Sequence, residues 1–263
     1  MTGTVPRNET DQARERAVRA RRLVVEMAGS AVGCHLGGSL SVVDILVAAY
    51  AVADSRPGVE VVLSKGHAAA ALYAVLHETG RIAENPAPRY GRAGQPYTGH
   101  PGPKVPGVLF PTGSLGHGLP YAAGWALSRQ ILRRPGGAIA VLGDGELQEG
   151  LVWETLQVVG ARRIPGLTVV VDLNGGQNDG YVTDISPMGD LPVRLAAFGL
   201  DVIEVDGHDV EKLMAVLVPE ERPRAVLATT VKGKGVPAVE GKAAAHYVKV
   251  SPARARQWAA VVR

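Results

Sequence analysis

A single cysteine, Cys34, leaves no partner for a disulfide within the chain, a pattern that fits a reducing compartment and leads us to expect a cytoplasmic protein. Charge of one sign is scarce as well. The 28 lysines and arginines stand against 25 aspartates and glutamates, and a net charge of +3 is too slight to argue for a nucleic-acid partner. The stretch from Met1 to Arg16 is polar and has no apolar core of a signal peptide. The longest apolar run, Val42 to Ala53, is interrupted by Asp44 and Asp54. It falls short of the roughly 20 apolar residues that a bilayer crossing takes, so no membrane association is expected. Internal repeats and low-complexity runs are absent too.

What is present can bury a sizeable core. With 46% hydrophobic residues in 263, the chain reads as one α/β domain over 1–263, with a mostly parallel central sheet and helices on both faces. Residues 10–29 form an amphipathic helix. Its basic cluster, Arg14, Arg16, Arg19, Arg21 and Arg22, reads as a solvated or subunit-facing side opposite Leu23, Val24 and Met27. The 33 glycines gather in loops ahead of helices, at 33–40, 64–68 and 98–118. The Pro/Gly-rich connection 85–106 is long, and long loops inside compact domains are usually functional.

The densest signal is Gly143-Asp144-Gly145-Glu146-Leu147-Gln148-Glu149-Gly150. An apolar run, Ala138 to Leu142, precedes it as a buried strand, and helical spacing of Val152, Leu156 and Val159 follows. The glycines permit a sharp strand-to-helix turn. Free N–H groups opening the helix could receive an anion, and Asp144 could hold the hard cation accompanying it. A second strand, Leu167 to Leu173, ends at Asn174. A strand–helix–strand crossover puts both carboxyl ends on one sheet edge, where open α/β sheets bind ligands. Asp144, Asn174 and a backbone carbonyl could then share a magnesium ion with phosphate oxygens. An ordinary Gly-Asp turn with an Asn cap is the plainer alternative.

Gly-Asp-Gly followed about thirty residues later by Asn resembles the diphosphate and magnesium motif of thiamine-diphosphate enzymes, here spanning 143–180. With Trp153-Glu154 downstream, it is similar to transketolase, and the likeness runs from about Arg14 to His246. The resemblance implies magnesium ligands at Asp144, Asn174 and the Gly176 carbonyl, and a diphosphate contact at the Gly145 N–H. It gives His35, in Gly33 to Leu40, a role at substrate hydroxyls, although alone it reads as a loop histidine. It gives His67, in Ser64-Lys65-Gly66-His67, contacts to diphosphate and sugar, where a helix cap is the plain reading. His100, in Thr98-Gly99-His100-Pro101, becomes a third substrate-facing histidine, and His246 a diphosphate contact. Backbone near Gly113 and Leu115 would touch the thiamine rings, with His117 beside them where relatives carry His or Gln. Glu149 would join an acidic network between two cofactor sites, or else be a helix-start acid favoured by the dipole. Asp206-Gly207-His208-Asp209 reads as a structural turn with Asp209 as N-cap, and Ser251-Pro252 as the start of a last helix.

Three departures from the family pattern stand out. Asn178 puts an amide where an aliphatic side chain is expected near the thiazolium. Tyr247 follows His246 where Gly is expected. The glutamate that transketolases aim at the aminopyrimidine ring has no counterpart in the chain. The resemblance therefore implies a partner subunit carrying that glutamate, in an α2β2 assembly acting on sugar phosphates. A biosynthetic ketol or acyl transferase with another acceptor, and a non-catalytic interaction subunit, are the rival readings.

Overall fold

A computed structural model describes residues 7–262; residues 1–6 of the polar leading stretch and Arg263 lie outside the described part. In chain order the elements are helices α1 (Arg7–Ala28) and α2 (Leu36–Ser55), strand β1 (Val59–Leu63), helices α3 (Ala69–Glu78) and α4 (Gly118–Ile131), strand β2 (Gly137–Gly143) and helix α5 (Gly150–Arg162). Then come strands β3 (Leu167–Leu173), β4 (Gly176–Gln177) and β5 (Gly180–Tyr181), helices α6 (Val182–Ile185) and α7 (Leu191–Ala197), strand β6 (Asp201–Asp206), helix α8 (Val210–Val216), strand β7 (Arg224–Thr229) and helix α9 (Pro252–Val261).

Five strands form one sheet in the order β1-β2-β3-β7-β6, every pair parallel. Buried on both faces, β2 and β3 consist of nearly continuous apolar residues, as parallel strands under two helical layers do. Alternate side chains serve opposite layers. Ile139 and Val141 face the cluster built with α1, α2 and α3, whereas Ala138, Ala140 and Leu142 face the one built with α4 and α5. The expected architecture of a parallel sheet with helices on both faces is therefore observed.

The helix α2 extends well beyond the apolar run seen in the sequence, to 20 residues, and by length and composition it could cross a membrane. It is instead a core helix, with 89% of its most apolar window buried inside the fold. Asp44 within it has a specific partner set. It pairs with Arg21 of α1 and accepts from His208 Nδ1 at 2.7 Å. The expectation that the whole basic cluster of α1 is a solvated face is thus corrected at Arg21, which is 5% exposed. A buried guanidinium needs an opposite charge, and α2 supplies it. Arg14 and Arg19 reach Glu211 and Glu78 at 3.5 and 2.6 Å. His208 Nε2 accepts the Val231 N–H at 2.9 Å, so the 206–209 turn ties β6 to the segment after β7. Asp209 and Ser251 cap α8 and α9 as expected, accepting from Lys212 and Arg254 N–H groups.

The 85–106 connection has order of its own. Tyr97 is buried with its hydroxyl on Glu84 at 2.8 Å, and Tyr73 of α3 donates to the His100 carbonyl at 3.0 Å. At the sheet's edge, burial pushes the Glu60 carboxyl of β1 up to about 7, against the opposing pull of Arg81. A carboxyl raised by folding stabilises the fold fully below its unfolded pKa and loses that contribution as pH rises through its folded value. Thermal stability should therefore decline between pH 5 and 8 in part through Glu60. The variant Glu60→Gln is expected to flatten that slope and melt higher than wild type at pH 8 in differential scanning calorimetry. Parallel pH profiles for the two proteins would rule this out.

Candidate active site

The carboxyl ends of β1, β2, β3 and β7 open on one edge of the sheet, and the loops leaving them enclose a cleft of about 410 Å³. From the first comes Ser64 to Ala68, from the second Gly143 to Glu149, from the third Asn174 to Asp179, and from the last Lys232. His35 just ahead of α2 and Gly38 in its first turn join them, and the connection ahead of α4 adds Gly113 and Leu115. Among the residues singled out in the sequence, His35, His67, Gly113, Leu115, Asp144, Gly145, Asn174, Gly176 and His246 all line this cleft. His100 is exposed and outside the lining, its ring 5.9 Å from that of His35. His117 is exposed, with Nδ1 on its own Leu115 carbonyl, and takes no part in the lining.

The turn after β2 differs from expectation. Residues Gly145–Gln148 wind as a 3₁₀ turn, and α5 follows from Gly150. The Gly145 N–H is already donated to Asp144 Oδ1 at 2.8 Å, so it is not an open helix-start donor in this structure. Glu149 precedes α5 without capping it and is exposed at the cleft mouth. Glu146 explains the winding, and sequence reasoning passed over it. Its carboxylate turns inward, accepting the Ser64 hydroxyl at 2.5 Å and the N–H groups of Gly116 and Gly143 at 2.8 and 3.1 Å. One buried side chain thereby fastens three loops of the cleft, although burial raises its own pKa.

Asp144 and the loop after β3 meet as the crossover argument requires. Asp144 Oδ2 accepts the Gly175 N–H at 2.6 Å. Asn174 turns its amide nitrogen toward Ser41 Oγ at 3.2 Å and Asp172 Oδ2 at 3.3 Å, while its Oδ1 accepts from the Gly176 N–H at 3.1 Å. Behind them lies a second centre missed in the sequence. Fully buried Asp172 accepts from Lys65 Nζ at 2.6 Å, from Ser41 at 2.7 Å and from Thr230. Burial pushes its carboxyl up, but Lys65 and these hydroxyls outweigh it and hold the group below the usual range.

The donor set suits a hard cation. Asp144, Asn174 and the Gly176 carbonyl offer only oxygen, the ligand type magnesium takes. Burial, then the charge of Asp172, pushes the Asp144 carboxyl up to about 6, against the opposing pull of Lys65 and the Gly175 and Gly145 N–H groups. No cluster of three or more His, Cys, Asp or Glu suited to a metal exists among the described residues. A cation here would complete its shell with non-protein oxygens. Lys232, also missed, lies 3% exposed with Nζ on the Gln177 carbonyl at 3.2 Å. Burial and Lys65 bring it down to about 8, which leaves it mostly cationic at neutral pH and able to face an anion.

The histidines are neutral donors. Burial, His246 and His100 lower His35 to about 4; burial, Lys232 and Lys65 lower His246 to about 4; and burial with Lys65 puts His67 well below its ordinary value. Their rings cluster, with His35 centroids 5.4 Å from His67 and 5.1 Å from His246. His35 Nδ1 is buried without a partner, a cost that a polar ligand would relieve.

The profile of the family described as "Transketolase, thiamine diphosphate binding domain" matches residues 13–257. The chain belongs to the transketolase family. It is 34% identical over 255 residues to the 6-deoxy-6-sulfo-D-fructose transketolase subunit SqwG of Clostridium sp. strain MSTE9, covering 92% of each chain. It is also 34% identical to an apulose-4-phosphate transketolase subunit of Actinobacillus succinogenes, covering 90% of each. Human transketolase matches at 38% identity over 70% of this chain and 30% of its own length. The fold superposes on Campylobacter jejuni transketolase with a TM-score of 0.85 at 24% identity, covering 96% of this chain. The chain spans 43% of that transketolase's length.

Proposed function

We propose that this chain is the diphosphate-binding, amino-terminal component of a two-component transketolase. The observation that carries the reading is the convergence, in one cleft, of an oxygen donor set at Asp144, Asn174 and Gly176 with the imidazoles of His35, His67 and His246. Asp144, Asn174 and the Gly176 carbonyl hold magnesium. Lys232, His67 and His246 neutralise or donate to the diphosphate that magnesium brings, and the Gly145 N–H donates to it once the Asp144 carboxylate turns to the metal. Gly113 and Leu115 flank the thiamine rings. Thiamine diphosphate, when bound, supplies the carbon nucleophile for moving a two-carbon ketol unit from a ketose phosphate to an aldose. His35, His67 and His100 orient the sugar's hydroxyls. His35 and His67, held neutral by burial, can each donate one hydrogen bond and accept a proton in exchange.

A partner subunit supplies the glutamate for the aminopyrimidine ring, in an α2β2 assembly within the cytoplasm. The names of the two relatives as transketolase subunits support a division of labour of this kind. A second reading, a transferase of the same chemistry with a different acceptor, is favoured by Asn178. It lines the cleft as an exposed amide bonded to Asp179 at 2.9 Å, not as an aliphatic wall.

Calorimetric titration with thiamine diphosphate and magnesium, on this chain alone and with its chromosomally neighbouring carboxy-terminal subunit, tests the proposal. Tight binding by the pair, followed by ketol transfer from xylulose 5-phosphate to ribose 5-phosphate, is the expected result. Binding without that transfer moves the assignment to the second reading. No binding in either case leaves an interaction subunit without cofactor.

A further inference from the structure

The histidine cluster has one aromatic neighbour to which the reading above gives no task. Tyr247 stands 4.9 Å from His35, ring centroid to ring centroid, with the two planes at 88°. It stands just outside the cleft lining and meets His35 edge to face, while His67, His100 and His246 border the same imidazole. The ring is fixed at both ends. Its hydroxyl donates to the Val32 carbonyl at 2.6 Å, and the adjoining backbone is pinned by paired bonds between Cys34 and Val248 at 3.0 and 2.8 Å. Even so, Tyr247 is 52% exposed.

Those facts separate Tyr247 from an ordinary surface tyrosine, which keeps its side-chain freedom and its hydroxyl for water. An ordered ring has lost its rotamer entropy before a ligand arrives, so a contact with it costs less to form. With its hydrogen committed to Val32, the hydroxyl has no proton left for a sugar hydroxyl. The ring instead offers a π face, negative at its centre, which attracts the weakly positive C–H bonds of a carbon chain. The imidazoles beside it handle hydroxyl groups, so the ring and the histidines recognise complementary sides of a polyhydroxylated chain.

We propose that Tyr247 is a specificity-determining residue whose open ring face packs on the C–H side of the sugar chain beyond His35, favouring aldose acceptors long enough to reach it over two-carbon aldehydes. The inference rests on the ketol-transfer reading and adds to it the length preference of the acceptor site. A contact made equally in the ground state and the transition state acts on KM and leaves kcat alone.

The test uses the enzyme assembled with its partner subunit, saturating ketose donor, and two acceptors: glycolaldehyde and ribose 5-phosphate. The variant Tyr247→Ala is expected to raise KM for ribose 5-phosphate by about 10-fold, the scale of one lost apolar contact in a pocket. kcat and the glycolaldehyde KM should stay within about twofold of wild type on the same scale. Tyr247→Phe, which keeps the ring, should retain most of the preference. Tyr247→Leu, which keeps bulk without the ring, takes the place of the alanine variant if that one does not fold. Equal changes for both acceptors, or none for either, would overturn the inference while wild-type transfer upholds the reading beneath it. Wild-type enzyme that transfers to neither acceptor overturns both.

Discussion

Replacing Asp144 with alanine is expected to weaken thiamine-diphosphate binding by the magnesium-loaded, partnered protein about 100-fold or more, a loss on the order of 3 kcal/mol. Asp144 is the one carboxylate in the proposed donor set, and a hard cation takes most of its binding from charged oxygen. The fold should survive. The substitution frees the Gly145 and Gly175 N–H groups that Asp144 accepts, but it also removes a buried carboxylate whose ionisation burial and Asp172 oppose. Circular dichroism should therefore match wild type while calorimetric affinity collapses. Unchanged cofactor affinity in a folded Asp144→Ala protein would show that the metal is held elsewhere.

The largest loss of stability is expected from Lys65→Met. Lys65 and Asp172 have side chains 1% and 0% exposed, and among the described residues the ammonium is the only cation bonded to that carboxylate. Stranding a buried charge costs about 3–5 kcal/mol, which for a chain of this size lowers Tm by roughly 10 °C. The double variant Lys65→Met/Asp172→Leu should recover much of that drop, because an apolar pair can replace a buried ion pair without leaving a charge behind. It should not recover cofactor binding, since the Asn174 amide loses Asp172, one of the two acceptors that orient it, and Ser41, the other, loses its own bond to Asp172. A single variant melting within a degree or two of wild type would mean that water or another group reaches Asp172. A double variant binding cofactor normally would remove Asp172 from the positioning of Asn174.

Much of the sheet was legible because parallel strands covered on both faces cannot hide. Ala138 to Leu142 is apolar without interruption and Leu167 to Leu173 nearly so, broken only by Thr168 and Asp172, and the residues following them, Asp144 and Asn174, meet where topology requires. What escaped reading shares one property: it depends on partners far along the chain. Glu146 looks like a helix-start acid until Ser64 and Gly116 are brought beside it. Arg21 sits among solvated arginines in one dimension and against Asp44 in three. Lys65 and Asp172 are each a polar residue next to a motif, and only the sheet, which sets β1 and β3 on either side of β2 beside α2, makes them a buried pair. Lys232 carried a faint signal, a lysine beside a glycine just past a strand at the ligand-binding edge, but spacing alone does not separate it from Lys234, which pairs at the surface with Glu240.

Glu146 has a consequence for how the free protein compares with its complexes. Glycine-rich loops are the most expensive segments to immobilise, at about 1–2 kcal/mol of backbone entropy per residue. In many binding sites that ordering is deferred until a ligand arrives and is subtracted from its affinity. Here the backbone of Gly116 and Gly143 is tied down by the protein's own carboxylate. The entropic loss is met during folding, so it lowers the stability of the empty chain and leaves the incoming diphosphate's affinity undiminished.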